Sequence, residues 1–72
     1  AYVRRSLEWE ELAALPLPAV ITWRMSGVVM HSVALLAVGR DRVTIGDPML
    51  GKTDYSREEF LKQWMRDALV LP

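Results

Sequence analysis

The chain has 72 residues, nine of them basic and nine acidic, with one histidine and no cysteine. A chain this short is one small domain at most. Disulfides, thiolate metal sites and His-rich metal clusters are excluded, which leaves only carboxylates as further ligands, and no metal or other cofactor is expected. Zero net charge supplies no field to hold nucleic acid or an anionic membrane, so partners are to be recognised by shape and apolar contact. The apolar content of 51% is high for so small a domain and implies surface covered by something outside this sequence. No apolar run reaches the roughly 18 residues of a membrane span, because Arg24, Arg40 and Asp41 interrupt the candidates. Without an initial Met or a charged-then-apolar leader, the start reads as a cut made inside a larger protein.

In chain order, Ser6-Leu-Glu-Trp-Glu-Glu-Leu-Ala-Ala-Leu predicts a short helix with Ser6 as its N-cap, acids in its first turn, and Trp9, Leu12 and Leu15 at helical spacing. Pro16 and Pro18 stop it. Ala19 to Arg24 predicts a strand, and Met25-Ser-Gly-Val a turn. A second strand begins at Val28 or Val29 and runs through His31 to Val38, apolar enough to predict a central strand buried on both faces. Gly39-Arg40-Asp41-Arg42 is a polar insert between β-branched runs and predicts a hairpin into a third strand, Arg42 to Gly46, which Asp47-Pro48 ends. Ser56-Arg-Glu-Glu59 is a capping-box pattern opening a helix that carries Phe60, Leu61 and Trp64 on one stripe. Ala68 to Leu71 closes as a strand before Pro72. The fold class predicted is α+β, an antiparallel β-meander with flanking helices.

The chemistry-bearing residues meet in one stretch. His31 opens the long strand and Asp47 closes the next, sixteen positions on across one hairpin. A three-residue loop, with Val38 opposite Arg42, sets Asp47 opposite Val33 and on the His31 face. A two-residue loop, with Gly39 opposite Arg42, sets it opposite Ala34 and facing away. Pairing therefore demands an odd loop or a bulge, which Gly39 is able to supply, and it must still span a diagonal of ~7 Å.

From Leu15 onward the signals run Leu-Pro-Leu-Pro-Ala-Val-Ile, His at the head of an apolar strand, Asp-Pro with Gly51 close behind, Tyr-Ser-Arg-Glu-Glu-Phe, then Trp64 before a last apolar strand. In combination these resemble the second half of the bacteriocin-processing, double-glycine leader peptidases, papain-like cysteine peptidase domains often found at the front of ATP-binding-cassette exporters. The resemblance covers roughly residues 7 to 71. It implies that residues 1–72 are one partial domain, the C-terminal half of a papain-like fold. It also implies that His31 is the catalytic base and acid, and that Asp47 is the carboxylate orienting it. The family's nucleophilic cysteine and oxyanion glutamine would lie on an N-terminal half, or on a second chain, not contained here. An aromatic is common in the family where Ser32 stands, and a polar residue where Met30 stands. Implied partners are a peptide or protein substrate and an exporter, and the implied place is the cytoplasm, at the inner face of a bacterial inner membrane.

Other readings compete. A lone histidine at a strand end is ordinarily a satisfied structural residue, and an Asp-Pro corner ordinarily makes an Asx turn, a role Asp47 can hold alongside the other. Trp9, Trp23 and Trp64 lack a basic groove beside them and are expected in the core or a cleft wall; Met25, Met30, Met49 and Met65 are expected as core filling. As a whole, the chain is read as a peptidase fragment or as a non-catalytic peptidase-like domain that holds a secretion substrate. A homodimer in which two copies bury each other's apolar face is a third reading. No phosphate loop is present, because Gly46 and Gly51 lack the strand-to-helix context.

Overall fold

The computed structural model describes residues 2–70. Alternating apolar residues build the centre of one antiparallel sheet. Ala19, Ile21 and Trp23 on β2 (Ala19–Ser26), Val33 and Leu35 on β3 (Val29–Val38), and Val43 and Ile45 on β4 (Arg42–Asp47) are all buried on its inner face. With β1 (Val3–Ser6), β5 (Gly51–Ser56) and β6 (Asp67–Val70), the order across the sheet is β1-β6-β2-β3-β4-β5. The meander thus runs from β2 to β5, and the two terminal strands add to its β2 side.

The helix α1 (Arg57–Gln63) lies over the inner face. Seven residues are too few for a helix stable by itself, and α1 is held by its cap and its packing. The Ser56 hydroxyl accepts from the Glu59 amide at 3.1 Å while the Glu59 carboxylate accepts from the Ser56 amide at 2.9 Å, as the capping-box pattern predicts. Phe60, fully buried, is the hub of an aromatic cluster, 5.8 Å from Trp9, 5.6 Å from Trp23 and 5.2 Å from Trp64 between ring centroids. Trp23 and Trp64 are therefore core residues, with Trp9 partly buried against them.

Five expectations are corrected. Ser6 does not cap the first helix; it ends β1, where it pairs with Asp67, a long-range partner that local pattern does not show. The helix itself is a 3-10 helix, Trp9–Ala14, opened at Glu8, whose amide donates to the Glu11 carboxylate at 2.8 Å, and cut short before Pro16. Gly51–Ser56, polar throughout, is a strand because six positions pair with β4. Strand β3 is central, yet only its inner face is buried: Met30, Ser32 and Leu36 stand exposed, since α1 covers one side of the sheet alone. The methionines do not fill the core either. Met25, Met30, Met49 and Met65 are all exposed, the aromatic cluster having taken the interior volume. Leu71 and Pro72, the expected end of the last strand, lie outside the described residues.

Candidate active site

His31 and Asp47 extend the inward-facing rows of β3 and β4 beyond the last apolar pair, at the end of the sheet. The register that brings them together has two parts. At the tip of the hairpin the Gly39 amide donates to the Arg42 carbonyl at 2.7 Å, closing a two-residue turn, and Val38 faces Val43. Continued unbroken, that register would turn Asp47 to the outer face. Between Leu35 and Ala37 it shifts by one, so that Leu35 faces Ile45 and Ala34 faces Gly46. The next position, Asp47, falls level with Val33 on the His31 face. The bulge required by the sequence is present, at Leu36 and not at Gly39. Leu36 and Ala37, two consecutive residues, are both exposed, as a bulge leaves them.

Side-chain reach closes the remaining diagonal: His31 Nε2 lies 3.2 Å from Asp47 Oδ2. The N–H direction is not aligned with the carboxylate, so this close approach is not a hydrogen bond, and the buried Nε2 has no hydrogen-bond partner among the described residues. Such contacts are commonly long or misaligned until a substrate is bound. The other oxygen of Asp47 is fixed, Oδ1 accepting from the Met49 amide at 2.8 Å. The Asx turn and the histidine contact thus coexist, one to each oxygen. With Nε2 buried and the His31 side chain still 21% exposed, the accessible part of the ring is the part away from Asp47. An imidazole held this way can exchange a proton on its open side while the carboxylate balances the charge.

The chain pattern did not reveal two contributors. Trp23 stands directly opposite His31 in the β2–β3 ladder, a pairing set by a register shift between Arg24 and Ser26; symmetry about Gly27-Val28 alone would set Ser32 there. The Met49 amide that anchors Asp47 is a backbone group and leaves no side-chain signal. Around this end of the sheet Val28, Val29, Met30, Met49 and Leu50 expose apolar surface. An open depression of about 490 Å³, lined by Val20, Ser32, Ala34, Gly46, Asp47 and Pro48 among others, touches Asp47 but does not include His31.

A sheet ending in a histidine–carboxylate pair is an arrangement suited to a hydrolase, and comparison with known proteins gives the class: a profile of the Peptidase C39 family matches residues 3–72. The chain belongs to the Peptidase C39 family. It is similar to two proteins of Escherichia coli, a probable microcin secretion/processing ATP-binding protein and a colicin V secretion/processing ATP-binding protein, 38% identical to each over 64 residues. The match takes in 89% of this chain and spans 9% of the length of each relative. Among the described residues no helix is long and apolar enough to cross a membrane.

Proposed function

We propose that this chain is the base-carrying part of a papain-like cysteine peptidase domain that processes double-glycine leader peptides at the cytoplasmic face of an exporter. The observation that carries the reading is the 3.2 Å approach of His31 Nε2 to a buried carboxylate whose second oxygen is already anchored, in a chain of a peptidase family. The exporter rests on the secretion/processing ATP-binding relatives.

The chain has no cysteine, so the thiol comes from another segment of the polypeptide or from a second chain. His31 takes the thiol proton on Nδ1, and Asp47 balances the imidazolium through Nε2. The thiolate attacks the scissile carbonyl, and His31 returns the proton to the leaving amine, which leaves a thioester. Water, giving a proton to His31, then attacks the thioester, and the thiol recovers that proton as the acid departs. The apolar rim from Val28 to Met30 and at Met49 and Leu50 offers an apolar peptide a place beside the imidazole.

The same lack of a cysteine favours a second reading, a non-catalytic domain that holds a secretion substrate. One assay separates the two: the polypeptide as its gene encodes it, presented with a double-glycine leader peptide, with and without thiol alkylation. Cleavage that is stopped by alkylation and by His31→Ala is the expected result. Leader binding without cleavage and without a reactive thiol overturns the peptidase and leaves the binder.

A further inference from the structure

The parity of the β3–β4 hairpin makes the bulge decisive for Asp47, and the bulge rests on one missing side chain. A Cβ built on Gly46 would lie 3.1 Å from Leu36 Cδ1 and 3.5 Å from its Cγ, so the Leu36 side chain occupies the space that any side chain at position 46 would claim. Gly46 is also the residue immediately before Asp47 and the one that faces Ala34 in the shifted part of the ladder. Its backbone is not in the left-handed region. Small size, and not conformational freedom, is therefore what the position supplies.

We propose that Gly46 is a positioning residue for the His31–Asp47 pair: it is the seat into which Leu36 bulges, and this seating keeps Asp47 on the His31 face. The proposal rests on the reading in which Asp47 orients His31. A β-branched side chain at position 46 would displace Leu36 and press it back into the ladder. The ladder then reverts to the register of the hairpin tip, which sets the row holding Asp47 and the row holding His31 on opposite faces. A lone methyl needs Leu36 to give way by only a few tenths of an ångström and is accommodated.

The test is nuclear magnetic resonance on the polypeptide as its gene encodes it, reading the imidazole Nε2 proton of His31 and the cross-strand Hα contacts of β3 and β4. The Nε2 proton is buried beside a carboxylate, so it is expected to exchange slowly enough to be seen, and to be lost in Asp47→Ala. Gly46→Ala keeps the signal. Gly46→Val loses it and shifts the cross-strand contacts by one residue, while circular dichroism reports a retained sheet. Adding Leu36→Ala to Gly46→Val vacates the seat and restores both readouts.

Retention of the signal and register in Gly46→Val overturns the proposal. So does a double variant that fails to recover them, whether folded or unfolded, because the space held by Leu36 is then not what the new side chain lacked. None of these spectra depends on cleavage. A failed leader assay with an intact, Gly46-dependent signal sinks the peptidase reading and leaves the positioning role of Gly46 standing.

Discussion

Two aspartates are buried in this small sheet to almost the same degree, Asp67 at 6% exposure and Asp47 at 7%, and they are treated in opposite ways. Asp67 is saturated. Its Oδ1 accepts from the Thr22 amide at 2.9 Å, and its Oδ2 accepts from the Thr22 hydroxyl at 2.7 Å and from Arg4. Its backbone carbonyl takes the Trp64 indole N–H at 2.9 Å. Those bonds tie β6 to β1, β2 and the end of α1, so the carboxylate is a structural rivet. Asp47 has one firm donor, the Met49 amide, and offers its other oxygen to a histidine. Burial alone does not mark a reactive carboxylate; an oxygen kept free of structural donors beside a titratable partner does.

The comparison is broken or sharpened first by activity. In the polypeptide that carries the thiol, Asp47→Ala is expected to lower leader cleavage by about 10³-fold or more, ~4 kcal/mol of barrier, as loss of the orienting carboxylate does in triads generally. The same change lowers stability by only about 1 kcal/mol, the value of one Asx-turn hydrogen bond. Asp67→Ala should do the reverse. Stranding the Thr22 amide and the Arg4 guanidinium costs about 3 kcal/mol of stability in urea titration, with cleavage per folded molecule unchanged. Equal stability losses for the two alanines would remove the distinction. Thr22→Val, which deletes one donor to Asp67 and keeps the backbone bond, is expected to cost about 1 kcal/mol by the same titration.

The fully exposed Glu59 gives the lower reference and the smallest effect. The Ser56 amide, then the Ser56 side chain, with Arg42 and Lys62 assisting at longer range, hold its carboxyl below the ordinary glutamate value. A lowered folded value means that the cap contributes fully above the unfolded glutamate range, and that this contribution is lost as pH falls through the lowered value. Acid unfolding of Glu59→Gln should therefore show a slightly flatter acid limb than the parent chain, followed by circular dichroism.

Much of the site was legible in the chain pattern. His31 heading an apolar strand, Asp47 closing the next, and an odd register step between them were all readable, because strand side chains alternate with a period of two and parity is a counting argument. The place of that step was not readable. Gly39 is the obvious flexible residue, yet the bulge sits at Leu36, which lies against Gly46 across the ladder. The methionines were misassigned for a related reason: apolar residues compete for one interior, and which of them lose depends on how Trp9, Trp23, Phe60 and Trp64 pack.

By itself the sequence determined the elements whose causes are local. These are the Ser56–Glu59 cap, the existence of the three central strands, the stop at Pro16, and the absence of a thiol. Only the tertiary structure decided that Val3–Ser6 and Gly51–Ser56 are strands, since neither has a pattern that closes without its partner. It likewise decided that the imidazole and carboxylate meet. Their distance follows from strand twist and a bulge in the β3–β4 ladder, which are relations between strands, acting together with the local Asx turn at Asp47.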